Sequence, residues 1–222
     1  MIKLTVQNVS YKYQNTLKPA VDNLNCTFEA GKLYAIMGAS GSGKSTFLSM
    51  LAGLDHPSQG EIRFGEERLK DLDLDSYRRE SISMIFQAFH LLPLLTAIEN
   101  VCYPMELNGI NPKDAKLRGK ELLSSVGITG DKIKRFPSKL SGGEQQRVAI
   151  ARSLGSGAKI ILADEPTGNL DVENMKNIME ILSKLAHEKD YCIIVVTHDV
   201  EVSKSADVVY KMVDGKLLEY DE

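Results

Sequence analysis

The chain has 222 residues, enough for one domain with a full hydrophobic core, and its 43% hydrophobic and 26% charged residues are ordinary globular usage. A formal net charge of −3 gives no long-range field toward DNA or an acidic membrane, so nucleic acid is not an expected partner. No run approaches the ~18 apolar residues of a spanning helix, the start Met1-Ile2-Lys3-Leu4-Thr5 has no leader pattern, and the scattered Cys26, Cys102 and Cys192 read as core residues of a reduced, cytoplasmic protein.

Ile2 to Val9 alternates apolar and polar residues like a half-buried strand, and Leu24 to Phe28 is a second candidate. Leu33 to Met37 is a continuous apolar run, as in a buried parallel strand. A glycine-rich loop follows, then a helical pattern through Phe47, Leu48, Met50 and Leu51. Gly60 to Phe64 and Ser81 to Phe86 read as strands. From about Ala97 to Gly127 the pattern is helical, broken at Gly109-Ile110-Asn111-Pro112. Ser141 caps a further helix to Leu154. Ile160 to Ala163 and Ile193 to Thr197 are strands, with Ile178, Ile181, Leu182 and Leu185 at helical spacing between them. That is a strand-helix-strand unit of a parallel sheet. Asp214-Gly215 marks a hairpin between Val208 to Val213 and Lys216 to Tyr220. The expected fold is an α/β core with a helical insertion.

The loop Gly38-Ala39-Ser40-Gly41-Ser42-Gly43-Lys44-Ser45-Thr46 matches the phosphate-binding pattern of glycine, four residues, then Gly-Lys-Ser. Glycines let backbone N–H groups close on phosphate oxygens, and the following helix points its positive end at the anion. Lys44 would neutralise β- and γ-phosphates, and the Ser45 hydroxyl would hold Mg²⁺. A flexible serine-glycine loop is the rival reading. The expected strand before and helix after decide against it.

The strand Ile160 to Ala163 ends in Asp164 and Glu165. Open α/β sheets bind ligands at the carboxyl ends of their strands. Asp164 would then hold Mg²⁺ and Glu165 would orient the attacking water as general base. Alone, the pair could be a solvated turn before Pro166; beside a phosphate loop it gains meaning.

Leu140-Ser141-Gly142-Gly143-Glu144-Gln145-Gln146-Arg147 resembles the signature motif of the ABC ATPase family, with Glu144 where the usual form has Gln. The resemblance covers nearly the whole chain. It implies a P-loop NTPase core, a mostly parallel sheet with flanking helices, joined to an antiparallel β subdomain, over about 1–88 and 158–222. A helical subdomain would span about 89–157 of the single domain 1–222. By the same resemblance, Gln87 contacts Mg²⁺ and senses the γ-phosphate, and Asn169-Leu170-Asp171 lies across a dimer interface. His198 contacts the γ-phosphate, and Tyr13 stacks on adenine, with Tyr11 a rival for that role. ATP and Mg²⁺ would sit between the phosphate loop of one copy and Ser141, Gly142 and Gly143 of another. Catalysis would fall to Glu165, His198, Gln87 and Lys44.

The segment Ala88-Phe89-His90-Leu91-Leu92-Pro93-Leu94-Leu95 follows Gln87 directly. The resemblance implies docking of a membrane permease near Phe89, Leu91 and Leu92; packing within the helical subdomain is the equal alternative. The protein would thus be cytoplasmic and peripheral on the inner face of the membrane. Ala163 to Asp171, Gly38-Ala39-Ser40 and Phe86 to Leu92 resemble the macrolide-exporter and lipoprotein-release branch. There the work is export or extracytoplasmic mechanotransmission, with an extracytoplasmic adaptor possible. Regulation of a non-transport complex, such as activation of cell-wall hydrolases in division, is the alternative. A DNA-repair or chromosome ATPase would carry long coiled coils in the stretch from Lys44 to Asp164. No sustained heptads fill it. A translation factor of the family would carry two sets of motifs, and a small-molecule kinase would leave Ser141 to Arg147 unexplained.

Overall fold

The computed structural model describes residues 2–14 and 16–219; Met1 and Tyr220, the expected end of the last strand, lie outside the described residues. Strands β1 (Lys3–Tyr11), β2 (Val21–Glu29), β4 (Gln59–Phe64) and β5 (Glu67–Arg68) form an antiparallel sheet in the order β2-β1-β4-β5. β1 runs past the expected end at Val9 because register shifts there let the pairing with β2 resume at Tyr11.

The second sheet holds β3 (Lys32–Met37), β6 (Ile82–Phe86), β7 (Ile160–Asp164), β8 (Cys192–Thr197), β9 (Val208–Val213) and β10 (Lys216–Glu219). Its order is β10-β9-β3-β8-β7-β6, parallel throughout except for β10 at one edge.

The apolar runs of this sheet have a simple cause: both faces are covered. Along β8, Ile193 and Val195 join one cluster, while Cys192, Ile194 and Val196 join another. The first cluster holds helices α3 (Ala97–Leu107), α4 (Pro112–Ser125), α5 (Gly142–Gly155) and α6 (Val172–Lys189). The second holds α1 (Lys44–Leu51) and the antiparallel sheet. The helices after Gln87 therefore share a core with the parallel sheet.

The break between α3 and α4 falls where Gly109 takes φ 80 and Asn111 caps α4, accepting from the backbone of Lys113 and Asp114. Several short helical turns escape the sequence pattern, among them α2 (Leu74–Ser76), capped by Asp73, and α7 (Val200–Ser203), capped by Asp199. Each holds too few residues to show a period. Parallel pairing brings the ends of four strands level. Met37 pairs with Thr197, Val196 with Asp164, and Asp164 with Phe86. Gly38, His198, Glu165 and Gln87, each next in the chain, thus emerge at one edge of the sheet.

Candidate functional site

A cleft of about 870 Å³ opens at that edge, lined by Ala39, Ser40, Gly41 and residues 43–46 together with Tyr13, Gln87, Asp164, Glu165 and His198, while Gly38 and Ser42 do not line it. The loop leaves β3 and enters α1 through left-handed backbone at Gly41 (φ 78) and Gly43 (φ 107). Gly43 has no substitute, since a Cβ there would lie 2.2 Å from the Ala20 carbonyl oxygen. No side chain caps α1, so its first N–H groups face the cleft without a side-chain acceptor. Lys44 is 7% exposed, and its Nζ donates to the carbonyl oxygens of Gly38 (2.7 Å) and Ala39 (3.0 Å). The ammonium thus closes the loop on itself.

Opposite the loop, Ser45 Oγ donates to Asp164 Oδ1 at 3.3 Å. Burial pushes the Asp164 carboxyl above the usual carboxylate range; the Ser45 bond opposes this, Glu165 adds to it, and Lys44 opposes it. Glu165 sits at φ 48, a left-handed backbone that a non-glycine residue rarely adopts. Its N–H donates to the Val196 carbonyl at 3.0 Å, and its own carbonyl accepts from Gly168 N at 3.1 Å. That geometry aims the carboxylate at His198, whose Nδ1 lies 2.9 Å from Oε1. His198 remains largely exposed beside it.

A hydroxyl and a carboxylate oxygen side by side suit Mg²⁺, which takes few protein oxygens and keeps water and phosphate for the rest. Among the described residues no group of three or more His, Cys, Asp or Glu could hold a metal.

Tyr13 lines the cleft, with its hydroxyl 2.9 Å from Thr46 Oγ1. Tyr11 does not line it. Tyr11 packs edge-on against Tyr13, centroids 5.0 Å apart, and its hydroxyl donates to Asp55 at 3.5 Å. Gln87 lines the cleft, but its amide donates to Asn169 Oδ1 at 3.2 Å.

Ser141, Gly142, Gly143 and Glu144 do not line the cleft. They open α5 with a capping box: Ser141 Oγ accepts from Glu144 N, and Glu144 Oε2 accepts from Ser141 N at 2.9 Å. Asp171 caps α6 and grips Asn174, whose side chain fills the place a Cβ on Gly143 would need, 2.1 Å from its Oδ1. Glu144 puts a negative charge where the neutral Gln of the usual form would sit. Lys132 Nζ answers it at 2.7 Å, and that bond, ahead of the Ser141 backbone N–H, holds the Glu144 carboxyl below its usual range. Lys132→Ala should therefore destabilise the wild type more than it destabilises Glu144→Gln, where no charge is left to answer. Thermal melts across the four variants check this, and equal losses in both backgrounds would contradict it.

Three polar residues that hold loops at or beside the site, Gln146 and Asn100 buried and Arg152 half-buried, went unread in the sequence. Gln146 is fully buried, and its Nε2 donates to the Pro166 carbonyl at 2.7 Å. Arg152 donates to the carbonyls of Phe89 and His90, which take φ 57 and 48. Asn100, also buried, bonds the backbone of Leu92, Leu95 and Thr96. Their one visible signal was a polar residue on an otherwise apolar helix face.

The family model described as ABC transporter matches residues 21–168. The chain is 44% identical over 216 residues to the lipoprotein-releasing system ATP-binding protein LolD of Rickettsia bellii, covering 96% of each chain. It is 40% identical over 215 residues to the ABC transporter ATP-binding protein YclH of Bacillus subtilis, covering 97% of this chain and 95% of that one. Among solved structures it resembles the dimeric post-hydrolysis state of the ATP-binding cassette MJ0796 bound to ADP and Pi. There the TM-score is 0.88 and the identity 37%, with 98% of each chain covered.

Proposed function

This chain belongs to the ABC transporter family of ATP-binding proteins, and we propose that two copies close head to tail on ATP, hydrolyse it, and so drive a membrane partner. The observation that carries this reading is a division within one chain. Lys44, Ser45, Asp164, Glu165 and His198 meet in the cleft, while Ser141 and the glycines that open α5 lie outside it. A second copy would bring that helix start to the open side of the cleft. The 37% identical MJ0796 cassette is itself dimeric with ADP and Pi bound, which supports an assembly of two copies.

In each cleft the loop 38–46 would wrap the phosphates with backbone N–H groups, Lys44 would turn its ammonium from its own loop carbonyls to the β- and γ-phosphates, and Tyr13 would stack on adenine. Ser45 and Asp164, with Gln87, would hold Mg²⁺, which supplies charge neutralisation to the phosphates. Glu165 would accept the proton of the attacking water, and His198 would steady both Glu165 and the γ-phosphate. Ser141, Gly142, Gly143, Glu144 and Asp171 would act across the dimer on the other copy's nucleotide.

On this reading residues 89–157 are the helical subdomain that meets the membrane partner, and 1–88 with 158–222 the core. Leu92 and Leu94 are exposed, and Asn100 holds the backbone of Leu92 and Leu95 on either side of the turn, which suits a dock near Phe89, Leu91 and Leu92. Leu91 packs on the core, so the segment serves both purposes. The relation to LolD favours lipoprotein release or related extracytoplasmic work over import. No helix among the described residues is long and apolar enough to cross a membrane, so the cytoplasmic face would be reached through the partner.

The test is co-purification of the tagged chain from membranes in mild detergent. A partner with few spanning helices and a large extracytoplasmic domain is expected, and it should raise the ATPase rate. Recovery of soluble or nucleic-acid partners alone would contradict the transport role.

A further inference from the structure

We infer that Asn169 is the positioning residue that orients the Gln87 side chain, turning its amide oxygen toward the cleft. The inference rests on the reading above that Gln87 faces the metal and the γ-phosphate. The hydrogen bonds fix the orientation step by step. Asn169 Nδ2 donates to the Gln87 backbone carbonyl at 3.2 Å. A carbonyl oxygen can only accept, so the amide nitrogen of Asn169 must face it. Asn169 Oδ1 is then the atom that meets the Gln87 side chain, and it too can only accept. The Gln87 atom opposite must therefore be Nε2, which donates at 3.2 Å. This leaves Oε1, the hard oxygen that suits Mg²⁺, without a hydrogen-bond partner among the described residues.

The backbone next to Asn169 completes the cradle. A Cβ on Gly168 would lie 2.8 Å from Gln87 Nε2 and 3.1 Å from its Cδ, so the Gln87 amide rests directly on that glycine. The Gly168 N–H is itself held by the Glu165 carbonyl at 3.1 Å. The turn that begins at the general base thus ends by setting the amide across the cleft. Neutral amides at both positions matter. An aspartate at 169 could still accept from Nε2 but would set a charge against the Gln87 carbonyl.

The test uses the intact protein with a non-hydrolysable ATP analogue and Mn²⁺ as the metal, with free Mn²⁺ followed by its paramagnetic resonance signal. Gln87→Ala, Asn169→Ala and Gly168→Ala are compared, the last displacing the Gln87 amide without removing a partner. Asn169→Ala and Gly168→Ala should weaken Mn²⁺ binding by about tenfold, the size typical of a lost outer-shell contact, while their metal-free nucleotide affinity stays at the wild-type value, and Gln87→Ala should weaken Mn²⁺ binding at least as much. If Gln87→Ala binds Mn²⁺ as the wild type does, the metal role of Gln87 fails and this inference with it. If Gln87→Ala is weakened but Asn169→Ala and Gly168→Ala both match the wild type, the role of Gln87 stands and that of Asn169 is refuted.

Discussion

Glu165→Gln is expected to lower ATP turnover by roughly 10²–10⁴-fold while ATP still binds, and to accumulate as a dimer when ATP and Mg²⁺ are supplied. The substitution keeps the shape of the side chain and its contact with His198, since an amide oxygen can still meet Nδ1. What it removes is the basic oxygen that would take a proton from the attacking water. The left-handed backbone at position 165 is held by its neighbours' backbone bonds, so the variant should fold as the wild type does. If closure needs only ATP and opening needs hydrolysis, the closed dimer must persist. Light scattering after gel filtration reads the outcome. A variant that stays monomeric in saturating ATP and Mg²⁺ would remove the basis for ATP-driven closure.

Lys44→Ala is expected to lose roughly 10²–10³-fold in turnover, the range for removing one preorganised group from a transition-state charge. Much of the ATP affinity should go with it. Lys44 is almost fully buried, and the same ammonium binds the Gly38 and Ala39 carbonyls. Its loss therefore strips the phosphates of a cation and the loop of its internal clasp. Lys44→Arg should not rescue, because the planar guanidinium cannot take the place of a compact ammonium inside this loop. Steady-state rates and nucleotide affinity separate the effects, with a melting curve as the control for folding. A wild-type rate in Lys44→Ala would overturn the assignment of the loop.

Much of this molecule is legible in its sequence for definite physical reasons. The parallel strands read as apolar runs because both faces of β7 and β8 are buried. The start of α5 is legible because Ser141 and Glu144 stand at the spacing of a capping box. The phosphate loop and Glu165 were legible because each follows the end of its strand, and parallel register brings those ends level, whereas Gln87, His198 and Tyr13 were named by the family resemblance.

What escaped was the wiring between distant segments. Gln87 and Asn169 are 82 positions apart, and Arg152 and Phe89 are 63 apart. Such pairs are single polar contacts across the fold, with no period to betray them. The choice between Tyr11 and Tyr13 was also beyond the sequence. Both are aromatic, two positions apart, and only the exit of the chain from β1 carries Tyr13 to the cleft while Asp55 keeps Tyr11 back.

The central claim, that each ATP site is built from two copies, is tested most directly by mixing two inactive variants. Lys44→Ala lacks a working phosphate loop but keeps the start of α5, and Ser141→Arg blocks that start but keeps the loop. Each alone should be nearly without ATPase activity. Mixed, they can form a heterodimer with one complete site, and turnover should return in proportion to the heterodimer formed. A mixture as inactive as its parts, with heterodimers demonstrably present, would contradict the shared site.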